Sequence, residues 1–300
     1  MTAPLHPHDL VSPVLGWYAA HARDLPWRRD DCSPWGILVS EVMLQQTPVA
    51  RVEPVWREWL ARWPEPADLA AEPPGEAVRA WGRLGYPRRA LRLHACAVAI
   101  TEQHAGEVPA TLGALRALPG VGAYTAAAVG AFAFGVRSAV VDTNIRRVQA
   151  RAVTGLALPA PSLTAAETAL AERLLPADAE RAATWNVAVM ELGALVCTAR
   201  APRCDGCPVA QQCAWRLAGY PAYDGPARRG QAWHGTDRQC RGVVLGALRE
   251  APGPVSLDQI AALWPDPDQF TRAIEGLVSD GLVERVGAAQ LQLPSGAGRT

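Results

Sequence analysis

Four cysteines crowd into one stretch, Cys197, Cys204, Cys207 and Cys213, with the spacing Cys-x6-Cys-x2-Cys-x5-Cys, while Cys32, Cys96 and Cys240 are scattered. Thiolates so close in sequence are suited to a metal. A disulfide framework is the weaker reading, because a chain of 300 residues, 49% of them hydrophobic, can build a core without staples. Structural zinc also takes four thiolates, but usually as two short Cys-x2-4-Cys knuckles, and only Cys204 and Cys207 form one. The single knuckle favours a loop wrapped round one 4Fe-4S cluster, with zinc as the alternative. Four thiolate ligands leave no open iron, so the expected role is structural.

A second chemical fact is an absence: the chain has no lysine, and all 29 basic side chains are arginine. Guanidinium does not deprotonate at working pH and forms no Schiff base, which removes lysine-based covalent catalysis. A third signal is the segment Leu118-Pro119-Gly120-Val121-Gly122-Ala123-Tyr124-Thr125-Ala126. Gly120 and Gly122, ahead of an apolar helix, can free backbone N–H groups to receive a phosphate oxygen at the helix N-terminus. Alone, Gly-x-Gly more often marks a plain turn between helices.

The elements that must position these groups read as helices. Apolar residues recur at intervals of three and four over 34–44, 76–84, 88–100 and 124–134, with Pro and Gly between, and strand-like alternation is nearly absent. Residues 219–237, rich in Gly, Pro and Arg, read as a linker. A second, smaller unit over 238–295 follows. Helices are expected at 238–249, after a Ser256 cap with Ile260, Leu263 and Trp264, and at 266–279 with Phe270, Ile274 and Leu277 on one face. A hairpin of 282–286 and 289–293 completes a small winged-helix-like module.

Trp is common at 11 and Phe scarce at 3, while Gly and Pro stand at 26 each, as in an ordered chain punctuated by turns. No apolar run reaches the roughly 18 residues a membrane helix needs, and the first ten residues lack the basic-then-apolar pattern of a signal peptide. A cytoplasmic protein with no membrane partner is expected. The formal charge is zero, which argues against wholesale electrostatic binding but says nothing about one face.

Several motifs agree in order. Leu118 to Ala126 resembles the hairpin of the helix-hairpin-helix, endonuclease III-like DNA glycosylases, and the four cysteines match the cluster spacing of that superfamily. Ser40-Glu41-Val42-Met43-Leu44-Gln45-Gln46-Thr47 resembles the signature of its adenine-specific branch, MutY. Leu25-Pro26-Trp27-Arg28, Leu84-Gly85-Tyr86, Val141-Asp142-Thr143-Asn144 and Met190-Glu191-Leu192-Gly193 extend the likeness over about 17–215. The resemblance implies an all-α glycosylase domain over 9–218, with two lobes, a helical barrel and a lobe bearing the 4Fe-4S cluster on Cys197, Cys204, Cys207 and Cys213. It places the base pocket in the cleft between the lobes. The implied activity is removal of adenine mispaired with 8-oxoguanine or guanine in base excision repair, by a monomer acting on double-stranded DNA.

Breaking a purine N-glycosidic bond needs an acid to protonate the base and an anion to steady the oxocarbenium-like sugar. By resemblance, Glu41 is the acid and Asp142 the stabiliser, with Tyr124 a hydrogen-bonding helper. Glu41 lies in the apolar run Ile37, Leu38, Val39, Val42, Met43, where desolvation would raise its pKa. Asp142 precedes Asn144, which could hydrogen-bond it and hold it ionised. A Glu inside a helix is otherwise usually a surface group, and an Asp before Thr-x-Arg often only a cap. Arg23, Trp27, Arg28, Leu44 and Glu191 are placed near the flipped base by the same resemblance, and Gln46 and Tyr86 match wedge residues that fill the gap it leaves. The superfamily's lyases carry a lysine at the position of Tyr124, so water is the expected acceptor and strand cleavage is not expected. Arg146, Arg147 and Arg151, and likewise Arg88, Arg89 and Arg92, could meet phosphates or form solvated helix faces.

Pro87 departs from the family, which often has a second aromatic there. Many MutY proteins also carry a Nudix-like domain with a Phe-Ser-His loop that reads 8-oxoguanine, and neither is found here; Ala232-Trp233-His234-Gly235-Thr236 is no substitute. Arg228, Arg229, Arg238 and Arg241 are candidates for DNA contacts in its place. Two alternative functions stay open, a uracil or thymine mismatch glycosylase of the same superfamily and a non-catalytic DNA-binding damage sensor.

Overall fold

The computed structural model describes residues 8–226 and 233–296. It divides into two compact units, one of Met1–Ile37, Ala110–Arg116 and Gly122–Ala227, the other of Leu38–Pro109, Ala117–Val121 and Arg228–Thr300. Arg228 and Arg229 lie outside the described residues.

The first unit is built on the helix Ala179–Leu195, which packs against the helices His8–His21, Ala123–Phe134 and Thr143–Gln149. Its core is made largely of small and aliphatic side chains, with Val14, Ala128, Ile145, Ala188 and Leu192 almost wholly buried. Small residues let helix axes approach: a Cβ added at Gly193 would stand 2.7 Å from the Asn144 Cβ and 2.9 Å from its carbonyl oxygen. Caps fix the helix starts, Asp178 accepting from Arg181 N and Thr164 forming a reciprocal box with Glu167. After Gln149 the chain widens into a π-helical turn, Ala150–Thr154, that ends at Gly155 with φ 73°.

Tryptophan supplies the core of the second unit. Trp59 packs edge-on against Trp63 at 4.9 Å and Trp81 at 5.6 Å between centroids, all three almost wholly buried, which accounts for part of the chain's unusual tryptophan content. The helix Arg88–Gln103 packs against Pro66–Ala70 and Pro74–Ala80.

In the same unit, three helices, Asp237–Glu250, Leu257–Ala261 and Pro267–Ser279, carry a small sheet of β1 (Val255–Ser256), β2 (Glu284–Val286) and β3 (Gln290–Gln292). The order is β1-β3-β2, antiparallel throughout, with Leu291 opposite both Val255 and Arg285. This agrees with the expected winged-helix-like arrangement and adds β1, which at two residues is too short to show alternation. Ser256 caps as anticipated, yet its helix stops at Ala261, leaving Leu263 exposed. Arg79 donates to the carbonyls of Leu248, Arg249 and Ala251, Arg249 donates to Val78 O at 3.0 Å, and Gly75 N to Pro294 O at 2.7 Å. Arginine forks and a glycine contact thus bind this segment to the helices of its own unit.

Candidate active site

Asp142 is the N-cap of the helix Thr143–Gln149. One carboxylate oxygen accepts from Ile145 N at 2.6 Å and the other from Asn144 Nδ2 at 2.8 Å. The capping role and the expected Asn144 contact therefore coexist. Asp142 keeps part of its surface open, yet loss of solvent still pushes its pKa up, against the hydrogen bonds from Ile145 and Asn144 and the Arg147 charge, which pull it down. The net direction is opposite to the one expected from Asn144 alone, because two or three hydrogen bonds do not fully replace the lost hydration.

Asn144 is itself held. Arg147 Nη2 donates to Asn144 Oδ1 at 2.8 Å and to Gly193 O at 2.7 Å, and its Nε to Cys197 O at 2.7 Å. A continuous set of hydrogen bonds therefore runs from the first cysteine of the cluster loop to the Asp142 carboxylate. Arg151, on the π-helical turn, donates to Thr198 O at 2.7 Å and Ala199 O at 3.1 Å, approaches Cys197 Sγ at 3.4 Å and lies over the Trp215 ring. Arg146 bridges Glu167 at 2.8 Å and the carbonyls of Ala160 and Ser162. All three arginines are buried and bonded to carbonyl oxygens and, for Arg146, the Glu167 carboxylate, so the structure supports neither of the two readings left open for them, phosphate contact or solvated helix face.

Cys197, Cys204, Cys207 and Cys213 are half-buried in one neighbourhood, and the other three thiols all bear on the electrostatics of Cys207. They sit on the loop that Arg147 and Arg151 anchor, with Cys204–Gly206 in a single 3-10 turn. Four soft sulfur donors with no carboxylate or imidazole among them fit an iron–sulfur cluster.

Glu191 is fully buried on the helix Ala179–Leu195 and clamped by two arginines. Arg23 donates through its backbone N at 3.1 Å, Nε at 2.7 Å and Nη2 at 2.7 Å, and Arg28 through Nη2 at 2.9 Å. Burial alone would push the carboxyl up, but the hydrogen bonds and charges of Arg23 and Arg28 outweigh it and hold the pKa at about 2. Arg28 Nη1 remains a buried N–H with no acceptor among the described residues. Tyr18, which no motif singled out, joins this group: burial raises its hydroxyl pKa, with Arg28 lowering it and Glu191 raising it. Trp27 is buried, and Tyr124, half-buried on the first turn of Ala123–Phe134, packs against the core of the unit.

Within the second unit, Glu41 is buried, 6% exposed, on the helix Pro34–Met43. Leu44 is half-buried just beyond the helix end, while Gln46 and Tyr86 are exposed. Both exposed residues adopt left-handed backbone conformations, φ 56° and 47°, unusual for side chains of their size. Arg89 is buried and internally bonded, so it is neither a phosphate contact nor a solvated face, whereas Arg88 is exposed and pairs with Asp280 at 3.2 Å. Arg241 also pairs with Asp280. Gly120 has φ 78°, and a Cβ there would stand 2.7 Å from the Arg92 Cβ, so the hairpin needs glycine on both counts. Gly122 is the exposed N-cap of Ala123–Phe134 with open space around it.

Residues 39–172 match the HhH-GPD superfamily of base excision DNA repair proteins, and 197–213 match the iron-sulfur binding domain of endonuclease III. The adenine DNA glycosylase of Mycobacterium tuberculosis is 51% identical over 295 residues, 98% of this chain and 96% of the relative. That of Mycolicibacterium smegmatis is 52% identical over 293 residues, 97% and 98% of the two chains. A solved thermostable thymine-DNA glycosylase aligns with a TM-score of 0.63 and 29% identity, covering 71% of this chain and 97% of that one. Matched to these relatives almost end to end at about half identity, this chain belongs to the adenine DNA glycosylase family, within the helix-hairpin-helix base excision repair superfamily.

Proposed function

We propose that the protein is a monofunctional adenine DNA glycosylase that removes adenine mispaired with 8-oxoguanine or guanine from double-stranded DNA, leaving an abasic site. The observation that carries the chemistry is the Asp142 carboxylate, fixed by Ile145 N and Asn144 Nδ2 in a chain without lysine. Glu41 gives a proton to the departing purine, whose N-glycosidic bond breaks with the electron pair leaving on the base. Asp142 stays anionic beside the electron-poor sugar, and water adds at the anomeric carbon, with its proton lost to solvent or a carboxylate. With tyrosine at 124 and lysine nowhere, no lysine amine attacks the sugar, and the strand is expected to remain intact.

The Arg23, Arg28 and Glu191 group is assigned to the flipped base by the family resemblance, with Arg28 also hydrogen-bonded to the Tyr18 hydroxyl. Glu191 serves there by aligning the arginines, since both its oxygens are already occupied. Tyr124 belongs to the same reading as a hydrogen-bonding helper, Trp27 and Leu44 as residues at the base, and Gly120 and Gly122 as phosphate contacts. The iron–sulfur segment takes one 4Fe-4S cluster on Cys197, Cys204, Cys207 and Cys213, which orders the loop and supplies no step of the reaction. A cytoplasmic monomer completes the reading.

The test is a single-turnover assay on duplexes placing adenine opposite 8-oxoguanine, guanine or cytosine, with wild-type and Glu41→Gln protein at stated salt. Adenine release by the wild type without strand scission, and loss of release with retained DNA binding in Glu41→Gln, are expected. Release of uracil or thymine instead of adenine points to the mismatch-glycosylase alternative, binding without release of any base to the sensor, and robust strand cleavage overturns the monofunctional assignment.

A further inference from the structure

Arg89 sits on the helix Arg88–Gln103 at 7% exposure, among the most buried charged side chains of the second unit. Its Nη1 donates to the carbonyls of Val42 at 2.9 Å, Met43 at 3.1 Å and Gln45 at 2.5 Å, and its Nη2 to Thr47 Oγ1 at 3.0 Å and Gly85 O at 3.1 Å. The guanidinium carbon lies 5.1 Å from the centroid of Trp81 and 5.5 Å from that of Tyr86. Among the described residues no carboxylate pairs with it. Its charge is met by carbonyls at the C-terminal end of Pro34–Met43, where the helix dipole is negative and the last acceptors lack intrahelical partners. Burial pushes its pKa down to about 10, so the fork stays charged near neutral pH.

The partners divide into two loops. Val42, Met43, Gln45 and Thr47 surround Gln46, and Gly85 precedes Tyr86; these two residues hold the positive φ values of 56° and 47°. Thr47 Oγ1, 3.3 Å from both Gln45 O and Leu84 O, ties the loops a second time. Backbone in this region is unfavourable for side-chain-bearing residues and persists only where its surroundings hold it. We infer that Arg89 is a positioning residue that clasps the Gln46 and Tyr86 loops together, so that the two wedge residues act on the DNA as one preformed unit. The inference deepens the proposed function and rests on its assignment of Gln46 and Tyr86 as wedges.

Arg89 therefore matters most where extruding the base is hardest. Two duplexes carrying the same adenine mismatch, one flanked by G·C pairs and one by A·T pairs, separate a wedge role from a general structural one. For Arg89→Met, base release is expected to fall about tenfold or more on the G·C-flanked duplex, from loss of several charge-assisted hydrogen bonds, and at least threefold less than that on the A·T-flanked one. Amide hydrogen exchange on the full chain reads the clasp without activity: Leu44, Thr47 and Leu84 are expected to lose protection together, while the Trp59 and Ile100 amides keep theirs. Thr47→Val replaces the hydroxyl by a methyl group of similar size and should show the same pattern at smaller size, and it decides the matter if Arg89→Met does not fold. Equal fold losses on both duplexes, or unchanged protection of the two loops, overturn the clasp. A wild-type protein inactive on both duplexes overturns the proposed function instead, and the exchange data still judge the clasp.

Discussion

At the scale of single residues, the site is a set of charges whose values depend on their partners. Asn144 donates to Asp142 and so favours its ionised form, against the burial that disfavours it. Asn144→Ala should therefore raise the Asp142 pKa further, and the acid limb of single-turnover base release against pH should move to higher pH; an unmoved limb would remove Asn144 from that role. Glu191 is the opposite case. Its carboxyl falls from an ordinary 4.5 to about 2, so its ionisation stabilises the fold fully above pH 4.5, and that contribution is lost as pH falls toward 2. Such a shift corresponds to about 3 kcal/mol. The gap in thermal midpoint between wild type and Glu191→Gln should be widest near neutral pH and close between pH 4.5 and 2; a gap independent of pH would show that the Arg23 and Arg28 clamp does not stabilise the fold electrostatically.

At the scale of elements, two helices set the Asp142 geometry by how closely they approach. Gly193 on Ala179–Leu195 faces Asn144 on Thr143–Gln149, and a methyl group at 193 would stand 2.7 Å from the Asn144 Cβ. One of the helices must shift, because 2.9 Å to the Asn144 backbone oxygen leaves no rotamer to relieve it. Gly193→Ala is expected to slow base release about tenfold or more while leaving DNA binding within a few fold, since displacements on the order of 1 Å can cost about a hundredfold in rate. Unchanged release under single-turnover conditions would show that the helix pair yields without moving the carboxylate. Neither helix is among the periodic apolar stretches read from the sequence, and their close approach was not legible either, since Met190-Glu191-Leu192-Gly193 shows a glycine without showing what it faces.

At the scale of the molecule, the cysteine loop is joined to the helix that Asp142 caps, and to the turn that follows it, through Arg147 and Arg151. A cluster bound on the four cysteines would fix the loop that carries the Cys197 carbonyl, and that carbonyl accepts from Arg147 Nε. Replacing Cys204 by Ala should reduce iron content, lower the thermal midpoint by several degrees for a loss of about 1–2 kcal/mol, and reduce base release with it. Elemental analysis, melting curves and the single-turnover assay check the three together; full activity in an iron-free protein would mean that the loop is ordered by its arginine contacts alone.

By itself the sequence determined the chemistry available: four thiolates at cluster spacing, no lysine amine, and the Glu41 and Asp142 carboxyls in family-like settings. These follow from residue type and local spacing, which the chain carries in one dimension. Tertiary structure alone decided what each arginine does. Arg146, Arg147, Arg151 and Arg89 stand on helices like solvated or phosphate-facing residues, and only folding shows them turned inward onto carbonyls as far apart in sequence as Cys197 and Val42. It likewise revealed Tyr18 beside Arg28 and the backbone conformations of Gln46 and Tyr86. A guanidinium's partners lie wherever its long side chain meets unpaired acceptors, and those acceptors are placed by contacts between elements that no local pattern records.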